Sequence, residues 1–247
     1  MPRVRTFGYS DGRTCRSVHR SDAGSRNACA GPFGAVYDRW IERERVARVV
    51  GGVIWGIDPR PMFASMRKEL AAVRVGTTVL DVPCGGGVAF RALDPDKSLR
   101  YLAVDLDDAM LDRARRRARG HHLDQVEFVR ADMRDLPFDD ATVDLCLTYS
   151  GLHMIPDPDR AVVELARCVR PGGRLAGSTF LADGSLRQRA IFGAGYVTGH
   201  VAPTGTAADL ERWLSTVGLI GVEIAPRRGL VLSVPTSPRE RRAVPGV

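Results

Sequence analysis

Lysine is nearly absent from this 247-residue chain: among 36 basic residues only Lys68 and Lys97 are lysines, and the rest are arginine. Aromatic residues are sparse, at 6%. No apolar run approaches the ~20 residues that a membrane-spanning helix needs, so no span is expected. Residues 1–32 are rich in Arg, Ser and Gly and poor in acids, and they lack the apolar centre of a signal peptide. The five cysteines (Cys15, Cys29, Cys84, Cys146 and Cys168) are odd in number and form no Cys-x-x-Cys pair. That pattern argues against a disulfide framework or a zinc site and for a reducing cytoplasm. Neither a cluster of metal ligands nor a nucleophile–base triad stands out, so no metal is expected. No internal repeat is visible.

What is present fits one α/β domain with a short appendage. A hydrophobic content of 44% supports a real core. The formal charge of +7 would suit a nucleic-acid partner. Arginine bias together with abundant Ala, Gly and Val is equally what a GC-rich genome produces, and nucleic acid is not the expected partner. Oligomeric state leaves no trace in the sequence.

The chain is organised around the stretch from Thr77 to Asp105. Thr77-Thr78-Val79-Leu80-Asp81-Val82 is β-branched and apolar, as a buried parallel strand should be. Pro83-Cys84-Gly85-Gly86-Gly87 follows at once. Glycines there can take positive φ and let a ligand approach the backbone. Val88 to Leu93 is expected to open a helix whose amides point at that ligand. A second apolar run ends in Asp105, twenty residues after Gly85. An acid at the tip of the neighbouring strand suits the two hydroxyls of a ribose. An NAD-linked oxidoreductase is the alternative from another enzyme class. Its fingerprint wants a third glycine three residues after Gly87, where this chain has Phe90.

Asp81-x-x-Cys84-Gly85-x-Gly87 resembles the first motif of class I S-adenosyl-L-methionine (SAM) dependent methyltransferases. Pro83 stands where that family usually has glycine. Further along, Asp144 to His153 resembles the family's fourth motif in its small-molecule branch. Pro171-Gly172-Gly173, after a helix and before a strand, resembles another recurring element. The methyltransferase type 11 group, which includes ubiquinone- and menaquinone-biosynthesis-like enzymes, resembles the chain most, over roughly residues 35–234. The resemblance implies an α/β fold: a Rossmann-like three-layer sandwich with a seven-stranded, mostly parallel sheet, its last strand antiparallel, and an N-terminal helical leader.

The expected domain layout is an extension at 1–32, disordered or an over-extended start, a methyltransferase domain at 33–236, and a loose tail at 237–247. The leader occupies 35–74. Its first helix is expected over 35–50, stopped by Gly51-Gly52, and its second over Met62 to Ala72, opened by Asp58-Pro59-Arg60-Pro61. Strands are expected at Leu99–Asp105, Val126–Arg130, Val143–Tyr149, Arg174–Phe180, Leu219–Ala225 and Leu230–Val234. Helices are expected at Asp108–Arg119, capped by Asp107 and ended by Gly120, after Asp157-Pro158-Asp159, and at Ala207–Val217, stopped by Gly218. An insertion occupies 181–206.

The resemblance also assigns roles. Gly85, Gly87 and the backbone at Asp81, with Pro83 and Cys84 in the same bend, hold the methionine part of SAM. Asp105 and the adjacent Leu106 lie at the ribose, Asp132 and Met133 at the adenine, and Tyr149 and Ser150 border the transferred methyl. Tyr149 and His153 are the catalytic candidates. His153 suits a general base because an unperturbed imidazole titrates near neutrality, although lining the pocket or capping the next helix explains it as well. Tyr37, Trp40, Phe192 and Tyr196 are candidate acceptor contacts, in a leader and an insertion whose apolar side chains suit an apolar or aromatic acceptor. Core packing explains those four equally. A SAM-binding protein that transfers no methyl is the non-enzymatic alternative.

Overall fold

The structure, a computed structural model, describes residues 58–186, 188–190, 193, 205–219, 223–224 and 230–235. The first leader helix, the candidate contacts Tyr37, Trp40, Phe192 and Tyr196, and both chain ends lie outside the described residues.

Five strands form a parallel sheet: β1 (Thr78–Asp81), β2 (Arg100–Asp105), β3 (Val126–Arg130), β4 (Val143–Tyr149) and β5 (Val169–Thr179). β7 (Leu230–Pro235) runs antiparallel to β5 and carries β6 (Glu223–Ile224) on its far side. The order across the sheet is β3-β2-β1-β4-β5-β7-β6. The chain moves one way from β1 to β3 and then returns to place β4 on the other side of β1. That reversal opens a crevice outside the carboxyl ends of β1 and β4, where ligands bind in open α/β sheets.

Strand side chains alternate between two cores. Val79, Tyr101, Ala103, Leu145 and Leu147 pack under α1 (Arg60–Ala72) and α2 (Asp108–Gly120), through Phe63, Met66, Leu70, Leu111 and Ala114. Leu80, Leu102, Val104, Cys146 and Leu175 pack against α3 (Pro158–Cys168) and α4 (Ala207–Thr216), through Val162, Leu165, Leu210 and Leu214. Each Val, Leu, Phe or Met among them contributes roughly 1.5–3 kcal/mol on burial, and a sheet covered on both faces explains the near-continuous apolar strands.

Three local expectations need correction. Val88 to Ala92 is a five-residue 3-10 helix, too short to present an α-helical N-terminus. Phe90 turns back over Gly87, where an added Cβ would lie 2.5 Å from its ring. The ring then meets Tyr101 and Phe128 edge-on, with centroids 5.6 and 6.2 Å away. Pro171-Gly172-Gly173 lies inside β5 rather than before it: Val169 pairs with Val143, the register shifts, and regular pairing resumes at Arg174 opposite Leu145. Gly120 is the last residue of α2, and the left-handed residue beyond the helix end is His122, at φ 55°.

Candidate functional site

The bend after β1 is stitched to both neighbouring strands. Val82 N–H donates to Leu147 O at 2.9 Å, and Cys84 N–H to Val104 O at 2.8 Å. The Val82–Pro83 peptide is cis. Gly85 takes φ 52°, and a Cβ there would meet nothing within 4 Å, so the space above it is open. Gly87 takes φ 79° under the Phe90 ring. A side chain at either position would strain the backbone. The two glycine amides are already engaged: Gly85 N–H donates to Asp105 Oδ2 at 2.9 Å, and Gly87 N–H to Cys84 O at 2.9 Å. What the bend offers a ligand is therefore close approach at Gly85, beside a carboxylate.

That carboxylate is nearly buried, with Asp105 8% exposed. Its Oδ1 accepts Asp107 N–H at 2.9 Å. Burial pushes its pKa up to about 6, against the lowering effect of the backbone donors of Asp107 and Gly85. Leu106 beside it turns its carbonyl to Arg130 Nε at 3.2 Å. Asp81 lies deeper, and its Oδ2 accepts the Tyr101 hydroxyl at 2.8 Å. Burial pushes Asp81 up to about 7; the Tyr101 bond opposes this and the nearby Asp105 reinforces it. Two desolvated carboxylates thus stand at the ends of β1 and β2, where the charge of Asp105 makes ionisation of Asp81 costlier.

After β3, Asp132 carries an arginine on its carboxylate. Arg134 Nη2 reaches Oδ2 at 2.7 Å and Arg134 Nε reaches Oδ1 at 3.0 Å. The Met133 side chain is buried in the core under α3 and α4.

After β4 the character changes. The Tyr149 hydroxyl shares a 2.9 Å hydrogen bond with Ser65 Oγ of α1, and burial lifts the phenol further above its ordinary pKa. Ser150 holds φ 57°, a strained value for a residue with a Cβ, and its N–H donates to Ser178 O at 2.7 Å. Its hydroxyl faces Met62 Sδ at 3.7 Å. An added Cβ on Gly151 would lie 2.2 Å from Pro83 Cδ, so the two loops touch through that glycine. Asp144, at the opposite end of β4, pairs with Arg170 and accepts Thr78 N–H at 2.7 Å, a structural role.

His153 is buried, with Nδ1 3.5 Å from Thr179 Oγ1 and its ring 4.5 Å from Phe180. It borders a small, partly open recess together with Leu152, Thr179, Phe180, Leu210 and Trp213. Burial lowers its pKa to about 3. That lies well below the near-neutral titration on which the expectation of a base rested.

Sequence-based expectation misses four residues that shape the site: Ser65, Tyr101, Arg134 and Gly151. Only Arg134 left a local signal, a basic residue two positions after an acid. Among the described residues, no group of three or more His, Cys, Asp or Glu could hold a metal. No described helix is long and apolar enough to cross a membrane.

Comparison with known proteins points the same way as this geometry. Residues 80–177 match the methyltransferase domain family. The chain is 30% identical to an arsenite methyltransferase of Halobacterium salinarum, over 65% of this chain and 41% of that protein. It is 39% identical to a demethylmenaquinone methyltransferase of Clavibacter sepedonicus, over 40% of each. The matches thus span about two fifths of these relatives' length. A geranyl diphosphate methyltransferase solved in complex with SAM shares the fold, with a TM-score of 0.61 and 17% identity over 85% of this chain and 94% of that one. Bend, switch point and matched segment coincide: the match to the methyltransferase domain family over residues 80–177 takes in the bend after β1 and the carboxyl end of β4.

Proposed function

We propose that the protein transfers a methyl group from SAM to a small-molecule acceptor. The observation that carries this reading is the 2.9 Å bond between Gly85 N–H and the Asp105 carboxylate, at the sheet's switch point and under open space. The donor set fits an adenosyl amino acid. Gly85, Gly87 and the Asp81 backbone lie against the methionine part, with Pro83 and Cys84 shaping the bend. Asp105 accepts from the ribose hydroxyls, beside Leu106. Asp132 and Met133 border the adenine. Bound SAM supplies a methyl group on a sulfonium, already electrophilic.

The chain's own contribution is to position. Orientation of reactants of this kind can supply about 7–11 kcal/mol of a barrier. Tyr149 and Ser150 border the methyl, the first fixed by Ser65 and the second by a strained backbone. Burial keeps the Tyr149 phenol protonated and lowers the His153 pKa to about 3, so the imidazole is a weak base. His153 then serves as a wall of the pocket, and the acceptor is one that ionises readily by itself. Tyr37, Trp40, Phe192 and Tyr196 remain the proposed acceptor contacts, which suits an apolar or aromatic molecule. Cys84, Cys146 and Cys168 are buried, in keeping with the cytoplasm as the proposed location.

Calorimetric titration tests the cofactor, and a methyl-transfer assay over a panel of phenols, thiols and apolar acids tests the reaction. The reading predicts SAM binding, no NAD binding, and turnover with at least one ionisable acceptor. NAD binding in place of SAM would overturn it. SAM binding with no transfer to any acceptor would favour a non-catalytic SAM-binding protein.

A further inference from the structure

The turn after β3 holds a fork that the proposed function does not use. Asp135 N–H closes the turn on Asp132 O at 2.9 Å, and Arg134 N–H donates to Asp132 Oδ1 at 2.9 Å. The Arg134 side chain then returns onto the same carboxylate. Nε lies 3.0 Å from Oδ1 and 3.2 Å from Oδ2, and Nη2 lies 2.7 Å from Oδ2. On its other side the guanidinium reaches across to the loop before α3, where Nη1 is 3.6 Å from Asp157. Arg134 is thus pinned between acids on the loops that follow β3 and β4.

An ionised carboxylate has about four acceptor positions. Three N–H groups meet these positions: the backbone amide and Nε on Oδ1, and Nη2 on Oδ2, with the single Nε proton shared across the fork as a longer 3.2 Å leg to Oδ2. One position is left, on Oδ2, and its direction is fixed because the fork forbids rotation of the carboxylate. Asp132 keeps a side-chain exposure of 28%, so it is within reach of a ligand.

We propose that Arg134 is a positioning residue for the nucleoside base: it locks Asp132 so that one oriented acceptor faces the base, selecting a 6-amino purine over a 6-oxo purine. This rests on the proposed placement of adenine beside Asp132. A fixed anionic acceptor gains a hydrogen bond from an exocyclic amine and meets a lone pair on an oxo group. A carboxylate free to rotate turns aside or admits a water, and it discriminates poorly.

The test is a pair of calorimetric titrations, with S-adenosylhomocysteine and with its hypoxanthine counterpart, S-inosylhomocysteine. These ligands read binding without turnover. Wild-type protein is expected to favour the adenine ligand by roughly 10–100-fold, the range of one charge-assisted hydrogen bond. In Arg134→Met the ratio is expected to fall to within about threefold, with most of the loss on the adenine side. Arg134→Lys keeps the charge without the fork and should fall between. Asp157→Asn removes the second anchor alone and should lower the ratio least. Should Arg134→Met unfold early in a thermal melt, the Lys and Asn variants decide. A wild-type ratio in the folded variants overturns the clamp while leaving the adenosyl site standing. Failure of wild-type protein to bind S-adenosylhomocysteine overturns both.

Discussion

The loops after β1 and β4 touch through Pro83 and Gly151, yet they are built on opposite principles. The first is all backbone and buried charge: a bend bonded to both neighbouring strands, with Asp81 and Asp105 held in low-dielectric surroundings. The second, whose one acid, Asp157, stands only at the start of α3, is uncharged from Tyr149 to Ile155. It has a phenol tied to Ser65, a serine strained at φ 57° and an imidazole buried to neutrality. The contrast teaches a division of labour. Under the proposed function, the first loop would hold the cationic cofactor and its sugar, and the second would place a neutral reactant near it. No step of the proposed chemistry asks the second loop for a charge.

The sharpest way to break this contrast is to disarm the first loop. Asp105→Ala removes charged acceptors for two ribose hydroxyls, and SAM affinity should fall by roughly a hundredfold, about 3 kcal/mol. Isothermal titration reads this, and a thermal melt checks that the fold persists. An unchanged dissociation constant would remove Asp105 from its assigned place.

Forcing the loops apart comes next. Gly151→Ala puts a methyl group 2.2 Å from Pro83 Cδ and 2.9 Å from its Cγ. Overpacking of this kind costs about 1–3 kcal/mol, measurable by urea denaturation. Stability equal to wild type would mean that the contact between the loops is slack.

The buried charge predicts a pH dependence of definite sign. Asp81 and Asp105 have folded-state pKa values of about 7 and about 6, both above the ordinary 3.8. The folded protein therefore binds more protons than the unfolded chain between pH ~4 and ~7. Their ionisation destabilises the unliganded fold as pH rises through that window. Asp81→Asn should flatten the dependence, so the melting temperature of the variant relative to wild type should be higher at pH 8 than at pH 5. Affinity for cationic SAM should move the other way in wild type, rising from pH 5 to pH 8. A melting difference that does not change with pH would contradict the assigned charge states.

The smallest effect belongs to the second loop. His153→Gln keeps a polar side chain in the recess and should leave turnover within about threefold of wild type. Losing a general base typically lowers turnover by ~10²-fold or more. A drop of that size, with a kinetic pKa near 6.5 vanishing from the pH–rate profile, would restore His153 as a base.

Sequence and structure agree where the signal is local. Glycines after an apolar strand announced the bend, and Asp105 was readable because strand periodicity fixed where β2 ends. Asp107 was read as the cap of α2, and its side chain accepts Ala109 N–H at 2.8 Å. The rest depended on contacts between distant residues. Tyr101 meets Asp81 across 20 residues, and Ser65 meets Tyr149 across 84. No periodicity encodes such pairs. The character of His153 also changed on folding, because burial rather than sequence sets whether an imidazole can charge. The pattern from Val88 to Leu93 predicts a helix whose amides face the ligand, and the segment forms a 3-10 turn. Its helical pattern was local, but the force that ended it, Phe90 seated between Gly87, Tyr101 and Phe128, was tertiary.

A crystal structure of the protein with S-adenosylhomocysteine tests the central claim most directly. The account predicts both ribose hydroxyls within about 2.5–3.0 Å of the Asp105 carboxylate, and the amino-acid end of the ligand above Gly85. Ligand density away from Gly85, with Asp105 still bonded only to the amides of Gly85 and Asp107, would contradict it.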